Sequence, residues 1–598
     1  MSAPIKTNQL TYTFDKELFS KNYDIFCIRT SEKHFKNGAY IIDAPLLSNN
    51  VCSVLFKSGR EIFVLMKSNG SNKSLLKNAI LKENGADRIT ISQLTPNSLK
   101  DDIVFQLMLN SLGNYESPLL KFNNLTGHLY CFHPNWLIRG RKSEADVVFK
   151  VPCLELRLSS EFRLNMEVHT FTSELLRNKI EFKKKKFDEY PKYIFSAHNT
   201  LRRKLKDDVG YSFIMRQTKN AKTEIAFLDI QNIDRFNQSK MGILTTVLEN
   251  FNDRFSSIAH LDFESITDYK ALDYTRSVAN ENKQAISDLL SIKPIKIVDC
   301  IDDEYSKIFC KEICDLLLSK YGIKTSCGKR VAKDHLNIRV IHNAAFYADS
   351  NDPHRIFNDV AVQHITFEDF SECSEFAIST VIHEMLIKAD LVKQKISLFD
   401  WNTLGLKDDI DFGIEVTDEQ NTKYIFMTIH PDGTFNISEQ TLNLFEANKY
   451  NQCVEIFENA KMNSVKVHGI IRDALGNINI IKDTEWFTIP EIYSIKAELA
   501  NGNTKLRGKE KRNELLSSCL DIKMFNDGVS EYYFVGTIGN GMRWLINRAA
   551  NIRKIEPFED SILMFEKLLP LMNVTFVHNG QLTIIPFPFK YLREHLNK

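Results

Sequence analysis

Several things are scarce in this sequence, and each scarcity excludes something. No apolar run approaches the roughly 20 residues that a bilayer-spanning helix needs, so no membrane partner is expected. The first thirty residues lack the basic–apolar–small order of a signal peptide, and a cytoplasmic location is the expectation. The 11 cysteines contain no CxxC pair. Cys300, Cys310 and Cys314 have no second thiol pair or histidine pair to complete four zinc ligands, so reduced core thiols are expected instead. An excess of one charge is missing too: 77 Lys and Arg offset 76 Asp and Glu, a net charge of +1. A nucleic-acid binder of this composition must concentrate its positive charge locally. There is no Gly/Ser- or Pro-rich linker and no internal repeat, so domain boundaries have to come from changes of pattern.

What is present is an ordinary globular composition, 43% hydrophobic and 26% charged over 598 residues, enough for two to four structural units. Residues 1–120 mix short alternating runs with short helices, as an N-terminal domain. Residues 121–290 begin strand-rich, with Gly127 to Phe132, Leu154 to Leu158 and Leu164 to Phe171 alternating as half-buried strands do. Asp229 to Phe255 and Ile266 to Leu290 read as helical. The style changes at Pro294. Ile295 to Asp299 is a short strand, Glu304 to Tyr321 a helix with Ile308, Cys310, Ile313, Leu316 and Leu317 on its apolar face and Gly322 as its stop, and Leu336 to Ile341 the next strand. Strand–helix–strand with apolar strands predicts a parallel, doubly wound sheet over 291–400. A second α/β unit follows over 401–598, with strands at Ile410 to Val416, Lys423 to His430 and Val465 to Arg472, and a Pro431-Asp432-Gly433 hairpin signal. The fold class is therefore α/β in the C-terminal half, behind a mixed α+β N-terminal half.

A polar constellation sits in the first α/β unit. Gln363 lies 16 residues after Tyr347 and 25 before Lys388, which falls on a helix running from Phe376 to Leu391. An anion site wants a cation, amide and hydroxyl donors, and often a ring on which an adjacent base can stack. Taken singly, each residue is bland, and a lone lysine on a helix is usually solvated; the joint spacing is the signal.

That spacing resembles the MID domain of prokaryotic Argonautes, whose tyrosine, glutamine and lysine at about these separations grip the first nucleotide of a guide strand. The resemblance implies that Tyr347 stacks on the base while Gln363 and Lys388 bind the 5′ phosphate. It also implies that a terminal carboxylate at Lys598 helps to hold a Mg²⁺ ion bridging that phosphate. Where the family has a lysine four residues after the tyrosine, this chain has Asn351; Arg355 or His354 is expected to replace the charge, or a basic residue between Lys324 and Lys333.

The unit at 401–598 resembles the PIWI domain of the same family, an RNase H-like fold, with the MID unit being Rossmann-like. RNase H-like nucleases hold two Mg²⁺ ions between carboxylates on adjacent strands. Glu415 stands where the family's first catalytic Asp follows a Gly–hydrophobic pair, Asp473 matches the second, and Asn573 falls at the last, in the stretch ending Pro586-Phe587-Pro588-Phe589-Lys590-Tyr591. Glu439 and Glu446 are the candidates for the intervening glutamate. A longer carboxylate and a neutral amide weaken ion binding, so the resemblance implies a catalytically inactive Argonaute, with an active guide-directed endonuclease as the alternative. An α/β protein of unrelated function is the third reading; in it Tyr347, Gln363 and Lys388 do not converge. The expected partners are a short 5′-phosphorylated guide, DNA or RNA, a complementary target DNA, and a helicase–nuclease effector recruited against plasmids or other invading DNA. Lys184 and Lys185, in the run Lys183–Lys186, and Arg202 and Arg203 are the expected contacts to the nucleic-acid backbone. The stretch ahead of the MID unit is short for a full N-terminal set, so a PAZ domain is expected to be absent or reduced.

Overall fold

The strand–helix–strand run is built from local signals that agree with one another. Asp303 caps a helix, α1 (Glu304–Tyr321), by accepting from the Ser306 backbone while Ser306 returns a bond to the Asp303 backbone, a reciprocal capping box. Gly322 ends it at φ +70°, a conformation that costs glycine nothing. The buried stripe is Phe309, Cys310, Ile313 and Leu317, whereas Ile308 is 58% exposed. Cys310, Ile313 and Leu317 of the expected apolar face are thus buried, while Phe309, with more area to hide, takes the place of Ile308.

A computed structural model describes the chain apart from residues 1–3, 32–49, 59, 71, 85–88, 115–118, 124–126, 141–146, 180–188, 196–200, 205–206, 217–224, 273–285, 292, 344, 348–356, 358, 369–374, 418–421, 441–447, 464, 503–513, 518–521, 536–550, 565–570, 572–585 and 597–598. The chain is a mixed α/β protein that divides into two compact units, one of residues 1–267, 485–518 and 542–549, the other of 268–484, 519–541 and 550–598.

In the first unit the strand Ile5–Phe14 pairs antiparallel with Ala259–Ile266, and its Lys6 and Thr7 pair with Ile489 and Thr488. The Asn8 amide donates to the Glu485 carbonyl at 3.0 Å and accepts from the Phe487 amide at 2.9 Å. The Trp486 indole donates to Gln9 at 3.0 Å, and Arg163 stacks over its ring at 4.4 Å. A separate sheet contains β1 (His128–Phe132), β2 (Val148–Leu158) and β3 (Leu164–Ser173), antiparallel neighbours in that order. The helices Ile233–Asn237 and Lys240–Arg254 lie within the expected 229–255 stretch. The expected helix over 266–290 is corrected at its start: residues up to Ile266 and the stretch Lys270–Leu272 are strands, and only 286–291 is helical among the described residues.

In the second unit, β4 (Ile295–Asp299), β5 (Thr325–Gly328), β6 (Leu336–Ile341) and β7 (Val362–Thr366) form an all-parallel sheet in the order β5-β4-β6-β7. Helix α2 (Glu375–Lys393) follows β7 and is apolar nearly all round, with Ile378, Ile382, Met385, Leu386 and Ile387 buried, as a helix covered on most sides must be. The larger sheet runs β8 (Ile410–Thr417), β9 (Thr422–Ile429) and β10 (Phe435–Gln440) as an antiparallel meander. After α3 (Asn451–Met462) come β11 (Val467–Asp473) and β12 (Ile478–Ile489) on the other side of β8. Beyond them lie β15 (Asn551–Pro557), β14 (Glu531–Val535), β13 (Ile522–Asn526) and Lys270–Leu272.

Helix α4 (Pro588–Leu596) closes the unit. One apolar cluster runs through the parallel sheet, α2, the strands of the larger sheet and Phe587, Phe589, Tyr591 and Leu592. The Tyr591 hydroxyl donates to the buried Asp390 carboxylate at 2.7 Å, tying α4 to α2. Gly469 on β11 lets the Phe589 ring lie against the backbone; a Cβ there would stand 2.3 Å from the ring edge. Because Phe589 is fully buried, it has no room to turn aside. Gly469→Ala should therefore cost about 1–3 kcal/mol as an overpacked core does, read as a lower urea midpoint by circular dichroism; an unchanged midpoint would show that the ring can move.

Candidate guide-end pocket and nuclease positions

Two of the three constellation residues lie near one carboxylate, Glu384. Gln363, near the start of β7, donates through Nε2 to Glu384 Oε2 at 2.7 Å, while its own Oε1 is buried with no hydrogen-bond donor among the described residues. Lys388 lies one helical turn beyond Glu384 on α2 and is 8% exposed. Among the described residues its ammonium makes no hydrogen bond or close ion pair. Burial pulls its pKa below the ordinary lysine range, and the fields of Glu594 and Glu384 oppose that pull. Glu384 is raised above the ordinary carboxylate range, first by burial and then by the neighbouring Glu594. Glu594, on α4, is itself buried and paired with Lys590 at 3.2 Å. The pocket therefore holds two ammonium groups and two carboxylates around one amide.

Tyr347 stands further along the sheet. Its hydroxyl accepts from the His342 backbone at 3.2 Å, just past the end of β6. There the His342 ring stacks on Phe346 at 3.7 Å, Phe346 is 61% exposed, and Glu368 holds His342 Nδ1 at 2.5 Å. Ile341 pairs with Thr366, and Ile338 with Gln363. The Tyr347 hydroxyl is thus about four residues, roughly 13 Å along the strands, from the level of Gln363. Arg355, His354, Asn351 and Lys598 lie outside the described residues.

The nuclease positions are not brought together. β11 runs antiparallel to β8, with Asp473 opposite Ile410. Glu415 is therefore five residues along β8 from the position facing Asp473, about 17 Å of strand. Glu415 accepts from Thr417 at 3.3 Å and lies 3.8 Å from Lys461. Asp473 closes a tight turn, accepting from the Asn477 amide at 2.9 Å and its side chain at 2.8 Å. It also lines a cavity of about 250 Å³ with Asp408 and Asp409. Glu439 pairs with Lys423 at 3.1 Å; Glu446 and Asn573 lie outside the described residues.

The carboxylate nearest Asp473 on β8 is Asp411, which the sequence reading passed over. It is 3% exposed and accepts from Lys449 at 2.9 Å, Arg472 at 3.1 Å, Thr428 at 2.5 Å and Tyr450 at 3.1 Å. Its lone pairs are committed to protein donors, which leaves none for a metal ion.

Of the basic residues, Lys184 and Lys185 lie outside the described residues, and Arg202 and Arg203 are on the strand Leu201–Arg203, paired with Tyr193–Phe195. The nine cysteines among the described residues are free, but not all are core thiols: Cys327 is exposed and its Sγ lies 3.5 Å from that of Cys314. Glu384 and Glu594 were missed in the sequence. Glu384 precedes Lys388 by four on one helix, a spacing that could have flagged it; Glu594 carries no such signal.

No family profile matches the chain, and no curated protein matches it. Among solved structures, the Marinitoga piezophila Argonaute in complex with 5′-OH guide RNA and target DNA is similar over 97% of this chain and 97% of its own, at 11% identity and a TM-score of 0.42. Drosophila Piwi is similar over 99% of this chain and 96% of its own, at 10% identity and a TM-score of 0.41.

Proposed function

We propose that this chain is an Argonaute-type protein that holds the 5′ end of a short guide strand at the edge of its parallel sheet, pairs it with a complementary DNA target, and does not cut. The observation that carries the reading is Lys388: a lysine more than nine-tenths buried as a residue, its ammonium without a hydrogen bond among the described residues, beside a glutamine whose amide is free to exchange its acceptor. Burying an unneutralised cation is costly, and a terminal phosphate is a ligand that removes the cost through charge-assisted bonds. The aromatic group at His342, Phe346 and Tyr347, further along the same sheet, offers a stacking surface for the first base.

A Mg²⁺ ion belongs to the same reading. Glu384 and Glu594 offer hard oxygen donors, and Gln363 Oε1 is a buried acceptor lacking a donor among the described residues, a set that fits such an ion. When bound, the ion would offset the repulsion between phosphate and carboxylates; Lys388 and Gln363 would orient the phosphate.

The lack of cutting is supported by the separation of Glu415 from Asp473 and by the four donors on Asp411. A protein that finds a target without cleaving it acts through a partner. The proposed partner is a helicase–nuclease, in cytoplasmic defence against plasmids, as for the Argonaute-like subunit of the DdmDE plasmid-defence system. The proposed division is an N-terminal domain to 120, linker domains with a reduced or missing PAZ to 290, MID to 400 and PIWI beyond.

Purification of the full chain from cells, followed by sequencing and end analysis of the nucleic acid that accompanies it, tests this. Short strands of defined length bearing 5′ phosphates are the expected result. Absence of any bound strand, or strands of random length and end chemistry, would overturn it.

A further inference from the structure

Glu155 on β2 stands directly opposite Tyr130 on β1 and Glu167 on β3. Directly opposed residues of antiparallel strands share a face, and like charges so placed destabilise the sheet unless something neutralises them. His128 is two residues before Tyr130 and His169 two after Glu167, so both imidazoles rise from that same face. His169 Nε2 is 2.6 Å from Glu155 Oε2 and 3.8 Å from the Glu167 carboxylate. His128 Nδ1 is 2.7 Å from the other oxygen, Glu155 Oε1. One donor atom each from Glu155, Glu167 and His169 falls within 4.8 Å of the others. Neither the guide-end pocket nor the nuclease positions use any of these groups.

We propose that Glu155, Glu167 and His169 bind a divalent transition-metal ion of the zinc class, with His128 fixing the carboxylate of Glu155. Tetrahedral ligands at about 2.0–2.1 Å from a zinc ion stand roughly 3.4 Å apart, between the two separations His169 already shows. An imidazole beside carboxylates favours zinc-class ions over Mg²⁺, which takes oxygen ligands. The ion would resolve the opposed glutamates and clamp β2 to β3. The Glu167 side chain is 69% exposed, so an ion can enter from solvent. Glu155 is 8% exposed and accepts from His128, the outer-shell partner that orients a ligand.

The test uses the full chain stripped with a chelator and titrated with Zn²⁺ against a chromophoric competitor, with Co²⁺ spectra recorded in parallel. Wild type should bind one more ion per chain than Glu167→Gln or His169→Ala, with a Co²⁺ spectrum free of the thiolate charge-transfer band. His128→Gln should lower the affinity for that ion by about 10–100-fold. Glu167 is exposed, so Glu167→Gln keeps the fold, and an unchanged circular dichroism spectrum verifies this. Equal stoichiometry and affinity in wild type, Glu167→Gln and His169→Ala would overturn the proposal, as would an extra ion bound through thiolate.

Discussion

Alanine at both Lys388 and Gln363 is expected to weaken binding of a 5′-phosphorylated guide by about a hundredfold, while the 5′-hydroxyl twin of the same sequence changes little. Each phosphate contact is charge-assisted and partly desolvated, worth about 1.5–3 kcal/mol, and about 1.4 kcal/mol is tenfold in affinity. The pocket also makes the opposite prediction at a neighbouring position. Glu384 now accepts from Gln363, and a phosphate must take that amide over while standing beside a carboxylate. In EDTA, with no Mg²⁺ to offset it, Glu384→Gln removes the repulsion but keeps the acceptor, so the phosphorylated guide should bind about tenfold tighter there, given a Coulomb interaction of a few kcal/mol near a protein surface before screening. Fluorescence anisotropy with the two guides reads both effects. Equal loss for phosphate and hydroxyl ends in the double variant, or no gain in Glu384→Gln, would remove the pocket assignment.

The largest stability effect is expected at Asp411. Its carboxylate is nearly inaccessible and holds Arg472, Lys449, Thr428 and Tyr450 together. Arg472 is only 17% exposed, so Asp411→Ala leaves a guanidinium largely buried without its partner, a loss of about 3–5 kcal/mol for a broken buried pair. Lys449 is 43% exposed and recovers hydration, which keeps the effect from growing further. Asp411→Asn should fall between, since it preserves acceptor geometry for the hydroxyls but not the charge. Urea unfolding followed by circular dichroism gives the order Asp, Asn, Ala. An alanine variant as stable as wild type would mean that Arg472 finds another partner, and the accounting for Asp411 as a structural hub would fail.

The parallel unit was legible because its signals are local. Ile295 to Asp299, Glu304 to Tyr321 and Leu336 to Ile341 match the observed elements residue for residue, since apolar runs, a capping aspartate and a terminating glycine act over a few positions. Within that frame β7 carries Gln363 and α2 carries Lys388, each near Glu384. What spacing could not supply was anything closed by distant chain. Glu594 reaches the pocket from α4, more than 200 residues after Lys388. Lys270–Leu272 became a strand because Ile522 to Met524 offers it an edge, and a helical pattern loses to such a partner. The direction of β11 relative to β8 is not written in either strand, yet it decides that Asp473 faces Ile410 rather than Glu415. The cluster on β1–β3 escaped for the same reason: its histidines and glutamates are scattered over 42 positions of sequence and meet only across a ladder.

The hydrogen bonds that Asn8 and Gln9 make with residues 485–487 carry a practical lesson for dissecting the molecule. A gene cut near codon 267 would yield a fragment whose Asn8 has lost the carbonyl and amide that satisfied it, and whose first strand has lost Thr488 and Ile489. The leading piece is not a cassette that can be transplanted intact; it would need the 485–518 stretch supplied in trans, or spliced on through a short artificial connection, before its behaviour could be compared with that of the parent.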